Sequence, residues 1–134
     1  MAVLSFCLTS LFKIANMKIT LIFTGACLLM YIGYKIFLTY SVYENVKSKY
    51  KQGAVILDVR AEAEFKTGHI DSAVNISLGT LRKRSVELDT GKTYITCCSH
   101  GLRSVKAESI LKERGFKHVY NGGAWVDLQE IIKK

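Results

Sequence analysis

No proline occurs among the 134 residues, and that absence, unusual as it is, excludes no class of function. Cysteine is sparse, with four copies. Cys7 and Cys27 lie in apolar stretches and Cys97 and Cys98 are adjacent, so the spaced pairs of a disulfide scaffold are missing. The net charge is +8, yet Lys and Arg are scattered without the run that a nucleic-acid-binding tail carries, and no nucleic-acid partner is expected. Internal repeats and low-complexity tracts are absent too. The length then leaves room for one compact domain at most.

What the chain does have is a long apolar run. Residues 19–34 are bounded by Lys18 and Lys35, and the run extends through Ile36-Phe37-Leu38 if Lys35 snorkels to the interface. Residues 19–38 are thereby expected to span a lipid bilayer as one helix, behind a short N-terminal segment, residues 1–18. A signal peptide is the main competitor, above all if translation begins at Met17, where Met17-Lys18 would form a basic leader. No small-residue cleavage site follows Tyr34, which argues against removal. Thr24-Gly25-Ala26-Cys27 faintly resembles a lipoprotein processing site, but the residues after Cys27 stay apolar instead of forming a polar tether. Residues 39–53 turn polar and basic and read as a juxtamembrane helix or linker, with the soluble domain, residues 54–134, beginning near Ala54. Lys35, Lys47, Lys49 and Lys51 follow the span and Lys13 and Lys18 precede it, so the positive-inside rule tilts the domain towards the cytoplasm.

From Ala54 onwards short apolar or β-branched runs alternate with helical stretches, the pattern of an α/β layer fold. Val55-Ile56-Leu57 reads as a strand covered on both faces. Ala73-Val74-Asn75-Ile76, Thr93-Tyr94-Ile95-Thr96 and His118-Val119-Tyr120 are the other strand candidates. Val105, Ile110, Leu111 and Phe116 mark an amphipathic helix over residues 103–114, with Gly115 as its C-terminal cap. Residues 78–88 predict a further helix, and residues 125–132 close the chain with an apolar stripe.

The third strand is followed by Cys97-Cys98-Ser99-His100-Gly101-Leu102-Arg103-Ser104 and then by a helix. A strand-to-helix turn favours anions, because successive backbone N–H groups can face inward and the helix N-terminus adds partial positive charge. There a thiol titrates lower than free cysteine, near pH 8.5, and its thiolate is the nucleophile. The bland alternative for such a cysteine is a small buried hydrophobe.

Cys98-Ser99-His100-Gly101-Leu102-Arg103 matches the C-x-x-G-x-R loop of single-domain rhodaneses, and the rest of the soluble part resembles that family in order and spacing. Leu57-Asp58-Val59-Arg60, Glu64-Phe65, Gly68-His69-Ile70 and Ala73-Val74-Asn75-Ile76 resemble its N-terminal motif. Gly115-Phe116 and Val119-Tyr120-Asn121-Gly122-Gly123-Ala124-Trp125 resemble its C-terminal segment. The resemblance implies a three-layer α/β fold with a central, mostly parallel sheet flanked by helices, here preceded by one transmembrane helix. It further implies a sulfurtransferase in which Cys98 carries a persulfide and the main-chain amides of Ser99, His100, Gly101, Leu102 and Arg103 hold the outer sulfur. Arg103 would bind an anionic donor such as thiosulfate, or brace the loop, or both. Asp58 and Arg60 would support the loop. A thiol or cyanide would accept the sulfur, with no metal or organic cofactor. His69 and Trp125 read as structural, His100 as a solvated loop residue.

Counted from Cys97, the same loop has the Cys-x-x-x-x-x-Arg spacing of cysteine phosphatases and arsenate reductases. Gly101 stands three residues after Cys98, as the sulfurtransferase pattern requires, and Thr96 occupies the place where phosphatases carry His. Cys97 is therefore expected to point into the core, with a resolving-thiol role as the alternative. A catalytically silent, membrane-bound interaction module is the remaining reading.

Overall fold

The computed structural model describes the backbone of residues 2–133 and the side chains of residues 17–133. Its elements are α1 (Ala2–Lys51), β1 (Val55–Asp58), α2 (Glu62–Lys66), β2 (Val74–Asn75), α3 (Leu78–Arg84) with a 3₁₀ turn (Ser85–Glu87), β3 (Tyr94–Cys98), α4 (Leu102–Glu113), β4 (Val119–Ala124) and α5 (Trp125–Lys133). The chain forms two compact units, Met1–Tyr40 and Ser41–Lys134.

The described part of the first unit is a helix with an apolar surface open on all sides. Leu29 is 71 % exposed and Met30 73 %, and a stretch of mean hydropathy 1.8 runs through it with none of its residues buried. The hydroxyls of Thr20 and Thr24 donate to the carbonyls of Met17 and Thr20, at 2.9 and 3.0 Å. Such back-bonds leave the backbone and its few polar side chains satisfied without water. Residues 19–38 rise about 30 Å at 1.5 Å per residue, the thickness of a hydrocarbon core, so this helix is long and apolar enough to cross a membrane.

The second unit is built on a four-stranded, wholly parallel sheet in the order β2-β1-β3-β4. Parallel neighbours need crossover connections, and the helices that make them cover the faces. Strand alternation divides the core. Leu57, Tyr94, Cys98 and Val119 face Leu81 of α3 and Ala107, Ile110 and Leu111 of α4. Ile56, Ile95 and Cys97 face Leu128 of α5 together with Val46 and Tyr50 from the last turns of α1. This is the rhodanese-type arrangement the sequence motifs imply.

Three boundaries differ from the sequence reading. Residues 39–53, read as a juxtamembrane segment outside the domain, are helical as far as Lys51, and Val46 in them is 4 % exposed within the core. The compact unit thus begins at Ser41, not near Ala54, because the sheet face holding Ile56 and Ile95 needs a second helix beside α5. Strand β3 runs past Thr96 through Cys98, since parallel pairing continues on both sides: Asp58 with Cys97, Cys98 with Ala124. Strand β4 likewise extends to Ala124. Between Thr96 and Cys98 the pairing shifts, so that Asn121 to Ala124 covers one residue more than its partner. Gly122 makes this bulge possible: a Cβ there would lie 2.7 Å from Ile95 Cγ2 and 3.0 Å from Leu128 Cδ2.

Burial of Val46 yields a direct test. Val46→Ala in the full chain is expected to lower unfolding stability by about 1–2 kcal/mol, from two buried methyl groups and the space they leave. Val42→Ala, on the same helix but 56 % exposed, is expected to stay within about 0.5 kcal/mol. Urea denaturation in detergent compares them, and equal losses would show that the helix end is not part of the core.

Candidate active site

Cys98 is the last residue of β3 and is 1 % exposed. The chain then turns through Ser99 and His100 to Gly101, which caps α4 with φ at 89°, in the left-handed region open to glycine. That turn brings the Gly101 amide to 3.1 Å from Cys98 Sγ. The Ser104 hydroxyl lies 3.8 Å from the sulfur and donates to the Gly101 carbonyl at 2.7 Å, locking the turn from inside. Burial pushes the Cys98 thiol up, but the amides of His100 and Ser104, the Ser104 hydroxyl and the Gly101 amide outweigh it, and the net displacement is downward. The Gly101 amide is the one within hydrogen-bond distance of the sulfur, and those of His100 and Ser104 add to the downward displacement.

Cys97 points to the opposite face of the sheet, as period-two alternation requires. It is fully buried, and desolvation, with Asp58 nearby, pushes its thiol well above the ordinary value. A nucleophile counted from Cys97 would lie on the face away from Gly101 and Ser104, with its thiolate disfavoured by burial.

Arg103 does not stand free. Its Nη1 and Nη2 donate to Glu64 Oε2 and Oε1, each at 2.7 Å, and Nη2 also donates to Ser99 Oγ at 2.8 Å. Ser99 Oγ in turn donates to Glu64 Oε1 at 2.9 Å. Glu64 accepts the Ala61 amide at 3.0 Å at the start of α2, the return half of a capping box whose other half an alanine cannot supply. Arg103, the Ala61 amide and the Ser99 hydroxyl hold the Glu64 carboxyl far below the usual carboxylate range. Glu64 and Arg103 form a fork-to-fork pair at a half-exposed rim, with side chains 40 % and 37 % accessible.

Asp58 and Arg60 act on this rim through α2. Arg60 Nε and Nη2 clasp the Asp58 carboxylate at 2.7–3.0 Å with both residues buried. The remaining guanidinium donors reach the Glu64 and Gly68 carbonyls at 3.2 and 2.7 Å. The guanidinium also lies 4.6 Å from the Trp125 ring centre. Arg60 thereby fixes the end of α2, and α2 presents the Glu64 side chain to the loop. Asn75 completes the hub by donating to the carbonyls of Asp58 and Arg60.

The other side chains singled out in the sequence have no bond to the sulfur. His69 stacks on Phe65 and bonds its carbonyl at 3.0 Å. Trp125, the first residue of α5, packs against the core cluster of Ile56, Ile95 and Leu128 and lies against Arg60. His100 is exposed, and Leu102 projects into solvent at 84 % exposure. A groove of about 550 Å³ beside α2, lined by Phe65, His69, Asn75 and Arg84 among others, takes in none of the loop residues. Two residues of the site carried no assigned role in the sequence reading, Glu64 and Ser104. Glu64 had one weak signal: it stands three residues after Ala61, but a capping box is recognised by Ser or Thr at its first position.

The rhodanese-like domain family matches residues 42–125. YqhL of Bacillus subtilis, itself described as uncharacterized, is 32 % identical over 111 residues, covering 80 % of this chain and 86 % of that protein. Thiosulfate sulfurtransferase GlpE of Coxiella burnetii is 35 % identical over 71 residues, covering 53 % of this chain and 66 % of its own length. A solved rhodanese with anions from E. coli is similar at 31 % identity and a TM-score of 0.53, over 56 % of this chain and 91 % of that one. With the sheet order, the Cys98 turn and these matches in agreement, the chain belongs to the rhodanese-like domain family.

Proposed function

We propose that this protein is a membrane-tethered, single-domain sulfurtransferase that carries sulfane sulfur on Cys98. In the first half-reaction the Cys98 thiolate attacks the outer sulfur of a donor such as thiosulfate; a sulfur–sulfur bond forms at Cys98, the donor's bond breaks, and sulfite leaves with the electron pair. In the second, a thiol or cyanide attacks the outer sulfur and the Cys98 thiolate returns. Charge and sulfur balance without a metal or organic cofactor.

The observation that carries the reading is the Gly101 N–H held 3.1 Å from Cys98 Sγ, with the Ser104 hydroxyl at 3.8 Å, in a turn that lowers the thiol's titration despite its burial. Fixed donors stabilise a sulfur anion with no reorganisation at the moment of transfer. Relatives named as sulfurtransferases support the reaction class. The apolar helix ahead of Ser41 supports a single membrane span over residues 19–38, and the lysines at 47, 49 and 51 favour a cytoplasmic domain.

Incubating the full chain in detergent with thiosulfate and measuring its mass tests the proposal. One added sulfur, lost on treatment with cyanide and absent from Cys98→Ser, is the expected result; a wild-type chain left unmodified by thiosulfate and by an alkyl hydropersulfide alike would refute it and leave the scaffold reading. Gly101→Ala is expected to cost about 1–2 kcal/mol of stability, because alanine is strained at this φ. It should also slow sulfur uptake by at least about tenfold by turning the amide from the sulfur, a loss of the size seen when one oxyanion donor is removed. Unchanged uptake would show that the turn does not serve the chemistry.

A further inference from the structure

Arg103 is the one permanently charged side chain between Cys97 and Ser104, and its charge is already matched. Both of its terminal nitrogens are bonded to Glu64, and the Ser99 hydroxyl beside it bridges the same two partners. Taken as a unit, the Glu64–Arg103–Ser99 latch is neutral. A donor arriving over Cys98 meets a cation whose attraction is largely cancelled by a carboxylate less than 3 Å behind it.

The consequence depends on donor charge. Thiosulfate brings two negative charges to a thiolate that already bears one, so three charges gather over the loop before sulfite leaves. A hydropersulfide brings at most one, as R–S–S⁻, and reacts through its protonated form R–S–SH: the Cys98 thiolate attacks the outer sulfur, the S–S bond breaks, R–S⁻ departs, and the persulfide proton remains on the sulfur now bonded to Cys98. Repulsion of the first donor is the larger, and at a half-exposed rim it is felt through a high effective dielectric as a modest factor.

We propose that Glu64 is a specificity-determining residue, which by neutralising Arg103 biases this site towards persulfide donors, which bring no more than one negative charge, and against doubly charged ones. The proposal rests on the sulfurtransferase reading of Cys98 and adds the donor class. Glu64 touches neither sulfur nor donor. It acts through Arg103, which Glu64→Gln would leave as a bare cation while keeping a side chain of the same shape to bond Ser99.

The test measures kcat/KM for thiosulfate and for an alkyl hydropersulfide in the full chain, at low and high salt. The ratio of the two is insensitive to a general loss of folding or of loop order, which would depress both donors alike. Glu64→Gln is expected to raise the thiosulfate-to-hydropersulfide ratio about fivefold, chiefly by lowering KM for thiosulfate, and to make thiosulfate turnover fall with salt more steeply than in the wild type. Glu64→Asp, which keeps the charge, is expected to restore the wild-type ratio. A ratio unchanged or lowered in Glu64→Gln, with wild-type Cys98 still loaded by either donor, would overturn the donor bias while leaving sulfur transfer intact. Failure of both donors to load wild-type Cys98 would overturn the bias and the sulfurtransferase reading together.

Discussion

A sulfur anion at 1 % exposure has lost its water, and only donors fixed in advance can replace that hydration. In this molecule they are main-chain amides, which cannot turn away as side chains can, gathered by a single left-handed residue at the junction of β3 and α4. Nearly every other feature near the site keeps that turn in one geometry. Ser104 bonds the Gly101 carbonyl from within the first turn of α4. The bulge at Gly122 and Gly123 brings β4 alongside, and the Gly123 carbonyl lies within 3.4 Å of the same hydroxyl.

From the outside the loop is held by a relay that begins deep in the sheet. Asp58 and Arg60 form a buried, multiply bonded ion pair, which by its desolvation cost adds little net stability but is very costly to break from one side. Its value lies in order. Arg60 ties the end of β1 to the last carbonyls of α2, and α2, only five residues long, would have little reason to persist without that tie and its capping box. Glu64 then transmits the position of α2 to Arg103 and Ser99. The rim is thus held in place by paired charges.

Much of this was legible in the residues. The α/β layering followed from apolar runs alternating with helical periodicity, and the expectation of Cys98 as the reacting thiol rested on the place of Gly101. What period-two alternation adds is the reason: two adjacent cysteines on a strand must face opposite layers, and only the α4 face has the amides. The role of the last turns of α1 was hidden, because Val46 and Tyr50 are only two apolar side chains one turn apart among lysines and other polar residues, and their burial depends on a sheet face formed later in the chain. Glu64 was hidden for a similar reason. It meets Arg103 across 39 positions, and nothing local in the sequence announces a contact of that span. Arg103, read as an anion binder or a brace, is a brace whose positive charge is already engaged.

The central claim is that the turn makes a sulfur anion at position 98 more stable than it would be in water. The rate of Cys98 alkylation as a function of pH, followed by peptide mass analysis in the full chain, measures this directly, since only the thiolate reacts. The account predicts a midpoint below the ordinary cysteine value of about 8.5, with reactivity rising through that midpoint and level above it. A midpoint at or above that value would mean that burial outweighs the amides, and the cradle would then have no part in the chemistry.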